Sequence, residues 1–524
     1  MIGKRRVLAG VGVAAALLLT ACGGGASGGS GGQPAAGATG DPVAGGAGTV
    51  LALSELRTLD PALNGNNGPS GGVIGNAIFG TLLVNDPASG EIEPSLASAF
   101  TTADGGATFQ LTLRPGLVFS DGTPLDAAAV KAEWDRMRDP ATGSVYQADA
   151  SLVASTEVVD ATTLKVTMAT AVPNFAYSVI TTSLNWIPSP AALAKGPQAF
   201  DAAPVGAGPY TLKEWRRQDA MDLVKNPKYW DAPRPYLDTL TIKPAIDAAQ
   251  RLNTVVSGGA DVAVETSWQN LKKAADQGLP SDVLPLSGGN YVALNTRRAP
   301  FDDPRAREAV VDAIDQQALN VSSFNGTAQL VDTLFAGTSP LHTDQPASAP
   351  DKARAQQLFD QLAAEGKPVA FTFTSTSSTE SKAQAEAIQA QLSAYKNVSM
   401  QIKTVEYAQI PALQNTHDFD ATVTSAAFLD PDPRLWTAFS GKSKVNMSGI
   451  DDPQLNDALD KGRAATDVAE RKSAYQVVQD RLVALHPLLW LTRFASGAVS
   501  AKDVGGLTQY GFGSLRPELL WVKK

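Results

Sequence analysis

Between Thr49 and Lys524 the chain has no second tract like residues 23–48 (GGGASGGSGGQPAAGATGDPVAGGAG), and no internal repeat. That continuity limits the possible architectures. A body of this length is too large for one compact core, so two or more lobes are expected. Without a flexible spacer, the lobes must be joined by tight crossings of the chain. Cys22 is the only cysteine, so no intramolecular disulfide can brace the lobes and each must stand on its own core. With 44% hydrophobic and 18% charged residues, the composition suits a soluble globular body.

The N-terminus carries Lys4, Arg5 and Arg6, an apolar run from Val7 to Leu19, and then the small residues Thr20 and Ala21. This order predicts a secretory signal over 1–21. The run is shorter than the ~20 apolar residues of a spanning helix. Leu19-Thr20-Ala21-Cys22 resembles the lipobox of bacterial lipoproteins, in which the cysteine is lipidated and becomes the first mature residue. Residues 22–48 are then a lipidated cysteine and a flexible tether reaching about 30 Å root-mean-square. No later apolar stretch is long enough to cross a bilayer, so the lipid is expected to be the only membrane attachment, on the extracytoplasmic side. The net charge of −9 grows more negative once Lys4, Arg5 and Arg6 are removed, which argues against nucleic acid as a partner.

Few chemistries are marked. His342, His417 and His486 are far apart in sequence and show no metal-ligand spacing, and no cofactor is expected. G-x-S-x-G occurs in the tether at Gly25–Gly29 and again at Gly68–Gly72, but neither copy follows the buried strand that a nucleophile elbow needs. There is no phosphate-binding loop or dinucleotide fingerprint. The plentiful carboxylates leave a secreted hydrolase with an unmarked carboxylate pair as a distant alternative. The leading expectation is a protein that is not an enzyme.

The patterning is that of an α/β chain. Thr49–Leu53 reads as the first strand. Phe109, Leu111 and Leu113 alternate inward, as do Leu164, Val166 and Met168. Asp126 reads as the N-cap of a helix burying Val130, Trp134 and Met137. Asp303-Pro304 starts another, with Val310, Ile314 and Ala318 on its buried face. Val369–Phe373, a helix with Ile388, Leu392 and Tyr395 on one face, and a strand with Val398, Met400 and Ile402 make a βαβ unit. A last helix is expected over about Asp467–Leu485, running into His486-Pro487 and LLWL.

Several separated segments together resemble one family, the extracytoplasmic solute-binding proteins of peptide-type ABC importers (family 5). The most specific is Leu96–Met137, which contains TFQLTLRPGLVFSDGTPLDAAAV. In family order there are also LDPAL at Leu59, VGAGPYTLKEW at Val205, NPKYWDAPRPYLDTLTIK at Asn226, SGGADV at Ser257 and LNTRRAPFDDPRAREAVVDAID at Leu294. The resemblance implies a two-lobed α/β clamshell of the periplasmic-binding-protein type (type II), with an extra β-rich subdomain in the larger lobe. Lobe I would be 49–294 plus 490–524, with the subdomain at about 81–194, and lobe II would be 295–489. The hinge would fall near Asn295-Thr296 and His486–Trp490. The implied partners are a peptide or other small solute and the permease subunits of an ABC importer, with the receptor itself a monomer.

In that family's peptide binders, an aspartate shortly before an acidic-Pro or Asp-Pro pair on the second lobe receives the ligand's α-ammonium. The matching stretch is Ser425–Phe439, SAAFLDPDPRLWTAF. Aligned on Asp432-Pro433, Leu429 stands where the aspartate is expected and Asp430 follows one residue late. Either a shortening lets Asp430 serve, or the ammonium site is absent and the solute is a sugar oligomer, a metal chelate, haem or another non-peptide. Asp-Pro-Asp-Pro is equally the composition of a capped turn. By the same resemblance, Asn67, Gly68 and Pro69, Tyr146, Trp186, Asn290, Ala427, Phe428 and Trp490 are expected to line the cleft. For each aromatic, core packing is the competing reading. Arg297, Arg298 and Arg434 are further plausible partners for a ligand carboxylate.

Overall fold

The structure, a computed structural model, describes residues 37–65, 68, 69, 71–347, 350–406 and 409–523. The signal segment and Cys22 lie outside these residues, as do Asn67 and most of the expected tether. The tether's last residues are already part of the fold. Ala38 donates its backbone N–H to Val504 and Gly45 donates to Tyr236, and the first strand starts at Ala47 rather than Thr49. The bonds run through the main chain of a glycine-rich stretch, which its side-chain composition does not reveal.

That strand, Ala47–Ala52, sits inside a seven-stranded sheet. The order across the sheet is Ser281–Val283, Gly497–Ser500, Val262–Glu265, Ala47–Ala52, Thr239–Pro244, Ala220–Lys225 and Tyr210–Arg216. Ala47–Ala52 is parallel to both neighbours, while the flanking strands pair antiparallel.

Residues between the first strand and this sheet's later strands build an antiparallel four-stranded sheet from Ala97–Thr101, Thr108–Leu113, Thr163–Met168 and Val153–Val158. Phe109, Leu111 and Leu113 are buried, as their alternation requires. The helix Ala127–Arg138 lies against this sheet, capped by the Asp126 carboxylate on Ala129 N–H. Trp134 meets Phe100 and Phe175 edge-on at 6.3 and 6.1 Å, and its indole N–H donates to Leu184 O.

A five-stranded sheet holds, in order, Val398–Val405, Val369–Thr376, Ala421–Phe428, Ser287–Leu294 and Leu488–Trp490. Val369–Thr376 and Val398–Val405 are parallel and joined by the helix Thr379–Leu392, which is the βαβ unit read from the sequence. Asp303 caps Pro304–Ala313, but that helix stops where Ile314 turns extended (φ −99°, ψ 119°). Asp315 then caps a new helix, Gln316–Phe324, by accepting from Ala318 N–H, so Ala318 is exposed and not on the first helix's buried face. Val468–Leu485 is capped by Asp467 and ends at His486 in the left-handed conformation.

Two short segments join the large sheets. Residues 284–286 lead from Ser281–Val283 into Ser287–Leu294, and residues 491–496 lead from Leu488–Trp490 back to Gly497–Ser500. The whole strand Ser287–Leu294 pairs with Ala421–Phe428, so it belongs to the five-stranded sheet. The change of sheet therefore comes earlier in the chain than Asn295-Thr296. Leu284 N–H donates to Ser496 O across the two segments. No helix among the described residues is long and apolar enough to cross a membrane.

Candidate functional site

Where the crossing segments meet, the two halves present different surfaces. On the seven-stranded side is the loop after LDPAL, and its base is held by charge. Arg136 makes two bonds to the Asp60 carboxylate (2.9 and 2.6 Å) and two to Glu133 (2.8 Å each), while Asp60 also caps Ala62 N–H. Burial pushes the Glu133 carboxyl up to about 7, against the pull of Arg136. A cavity of about 410 Å³ lies beside this trio, walled by Pro188, Pro190 and Phe200. Past the trio the loop runs under Phe512. Gly68 has φ +55°, and a Cβ there would sit 2.3 Å from Phe512 O. Phe512 and Phe494 are half-buried with ring centroids 5.3 Å apart, and Ser496 Oγ donates to Phe512 O.

On the five-stranded side, Asn290 pairs with Ser425, and its main chain exchanges bonds with Thr492 and Leu491 of the return crossing. The strand Ala421–Phe428 then delivers Leu429 and Asp430. Leu429 packs on the core of the four-stranded sheet, which also takes Tyr146, so the two halves touch here. Asp430 is 9% exposed, and both its oxygens face Arg471, at 2.8 Å each. Its Oδ1 also accepts from Asp432 N–H. Burial pulls the Arg471 guanidinium down, but Asp430 outweighs it and holds it above its ordinary value. Asp432 is pushed up to about 6 by burial, with Arg463 opposing at 2.7 Å. Nearby, burial raises Asp149, with the Arg434 charge opposing.

The expected lining residues divide. Gly68 lies beside Phe512, Asn290 beside the return crossing, Tyr146 on the core that Leu429 packs against, and Asp430 on Arg471, while Asn67 lies outside the described residues. Trp186 is 1% exposed and sits in the seven-stranded core beside Phe79, its indole N–H bonded to Asn76 Oδ1. Trp490 is also buried, against Tyr291 and Phe439. Ala427 and Phe428 are buried, with Phe428 edge-on to Phe335 at 5.6 Å. Trp186, Trp490 and Phe428 are core side chains in this structure, each inside an aromatic or aliphatic cluster, whereas Ala427 is buried outside those clusters. Phe494 and Phe512 were not singled out by the sequence reading. The signal available for Phe512 was its two flanking glycines, both at positive φ, in the tight turn between Gln509–Tyr510 and Ser514–Leu515.

Arg297 is bonded to Asn446 O and Met447 O at the far end of Ser287–Leu294, and Arg298 is paired with Asp418 and Asp420. Among the described residues, no group of His, Cys, Asp and Glu could hold a metal ion. The junction offers main-chain groups, small residues, an aromatic pair and charges that are mostly matched internally. That is the chemistry of holding a solute by hydrogen bonds and contact.

The family described as bacterial extracellular solute-binding proteins, family 5 Middle, matches residues 91–446. The glutathione-binding protein GsiB of Shigella dysenteriae serotype 1 (strain Sd197) is 28% identical over 424 residues, covering 78% of this chain and 81% of GsiB. The structure of AgaA from A. tumefaciens R10, in complex with agropinic acid, superposes with a TM-score of 0.76 at 27% identity, over 91% of this chain and 99% of AgaA. A dipeptide binding protein from Pseudoalteromonas sp. SM9913, in complex with Met-Leu, has a TM-score of 0.77 at 22% identity, over 91% of this chain and 100% of its own.

Proposed function

Because the chain belongs to the bacterial extracellular solute-binding proteins of family 5, we propose that it is a lipid-anchored, monomeric receptor that encloses a peptide between its two lobes and delivers it to an ABC importer. The observation that carries this reading is the double crossing at 284–286 and 491–496, which joins two separate sheets beside the junction of Gly68, Asn290, Phe494 and Phe512. Such a joint allows the lobes to rotate about a solute. The peptide class rests on the similarity to a glutathione-binding protein, glutathione being a tripeptide. A second reading, a solute without a free ammonium, draws on the Asp430 carboxylate being already bonded to Arg471.

Glutathione and the dipeptide Met-Leu are suitable probes. A solute that binds the closed arrangement better shifts the population toward it and stabilises the fold by mass action. Small-angle scattering is expected to show compaction, and calorimetry a raised Tm, when a true solute is added. Mass spectrometry of the solute that co-purifies identifies it and shows whether it is returned intact. Tight binding with an unchanged scattering curve, or chemical conversion of the solute, would count against the receptor reading.

The anchor has its own test. Cys22→Ser is expected to move the protein from the membrane to the soluble fraction with probe affinity unchanged, as read by fractionation and calorimetry. Membrane retention equal to wild type would contradict lipidation at Cys22.

A further inference from the structure

Arg471 bonds to partners from both halves of the molecule. A guanidinium carries five N–H groups. Nε donates to Gly462 O at 3.3 Å, and Nη1 and Nη2 each give one bond to Asp430. These partners all come from the half that carries the five-stranded sheet. Tyr475, from the same half, also engages the guanidinium. From the other half, the amide of Asn174, on the four-stranded subdomain, faces Nη1 and Nη2. With its amide oxygen turned toward the guanidinium, Asn174 accepts from Nη1 and Nη2 at 3.2 Å each. Arg471 is only 8% exposed, so water has little access to it.

Asn174 is the N-cap of the helix Phe175–Thr181, yet its side chain makes no capping bond. Asparagine is among the residues best suited to that local bond. Here its amide faces across to the other half instead. The neighbourhood agrees. Leu429 packs on the subdomain core, and the Asp430 charge is felt by Tyr177, whose hydroxyl donates to Gly90 O.

We propose that Arg471 is a positioning residue for closure. Asp430 neutralises it within its own half at all times, and Asn174 completes its hydrogen bonds only when the halves meet. Asp430 is then the counter-ion of the clasp and not the receptor for a ligand ammonium. This rests on the receptor reading above, since a clasp has a role only if the halves move apart.

The test combines small-angle scattering and titration calorimetry, with glutathione and Met-Leu as probes, on wild type, Asn174→Ala, Asn174→Asp, Arg471→Lys and the Asn174→Ala/Arg471→Lys pair. Asn174→Ala removes an acceptor that faces water in the open form. It is expected to weaken probe affinity about tenfold, mainly through faster dissociation, and to reduce compaction while leaving the probe-free Tm unchanged. Asn174→Asp keeps an acceptor oxygen and is expected to bind within about threefold of wild type. A lysine cannot make the paired bonds, so Asn174→Ala is expected to cost less than about twofold more in the Arg471→Lys background. Wild-type affinity and full compaction in Asn174→Ala, or independent additive losses in the pair, would overturn the clasp and leave the receptor reading intact. A wild type that neither binds nor compacts with either probe would overturn both.

Discussion

Glu265→Ala is expected to destabilise the seven-stranded half by about 3–5 kcal/mol, the usual cost of removing one partner from a buried ion pair. Glu265 closes the strand Val262–Glu265 at 1% exposure. Its Oε1 accepts from Arg251 Nη2 at 3.0 Å and from the N–H groups of Thr266 and Ser267, and its Oε2 accepts from Asn270. Arg251 is 2% exposed, and its other recorded acceptors are the carbonyls of Ala245 and Ile246. Without the carboxylate, a full positive charge stays buried with only those dipoles around it, and the start of the helix Trp268–Asp276 loses its ties to the strand. Replacing both partners together, Arg251→Met with Glu265→Leu, is expected to recover most of the loss, because no orphaned charge remains. Calorimetry that resolves the unfolding of the two halves checks this. A loss below about 1 kcal/mol in Glu265→Ala would mean that water reaches Arg251 and the pair is not dry.

The contrast between this pair and the helix caps shows what a sequence discloses. Asp126 and Asp303 each cap a helix as read, because a cap is a contact over two or three residues and leaves a local signature. The alternation of Phe109, Leu111 and Leu113 is local for the same reason. Ala318 was misplaced because the apolar spacing continues through Ile314, while Asp315, a cap in its own right, restarts the helix there. The family resemblance pointed to lobes and a junction, but not to which sheet owns Ser287–Leu294, since its pairing with Ala421–Phe428 spans a long sequence separation. At the candidate site, Trp186 and Trp490 are core residues, and the half-exposed pair is Phe494 with Phe512. Aromatic content alone does not say which ring a fold encloses. The pairing of Asp430 with Arg471 likewise joins the turn after a strand to the first turns of a distant helix, a relation that only the tertiary fold defines.

Gly288 lies where the first crossing enters the five-stranded sheet, and it separates two effects of glycine. Its φ is +63°, and a Cβ would fall 1.9 Å from Ala426 O of the neighbouring strand. Its N–H donates to Leu334 O, and its carbonyl accepts from Arg493 of the return crossing, so neither side can shift alone. Gly288→Ala therefore meets both the left-handed penalty and a backbone clash, an expected loss of about 2–5 kcal/mol. The point of yielding is fixed by geometry: the end of Ala421–Phe428 must move, and with it Leu429 and Asp430. Affinity for glutathione or Met-Leu is expected to fall at least about tenfold, the equivalent of 1.4 kcal/mol. Gly366→Ala is the control. Gly366 has φ +77° with nothing within 4 Å of the added carbon, so only the conformational cost of about 1–2 kcal/mol applies and probe affinity should not change. Calorimetric unfolding and titration on the two variants decide the matter. Equal losses of stability, with affinity intact in both, would mean that the strand accommodates the methyl group and that the close approach at the crossing does not set the geometry of the site.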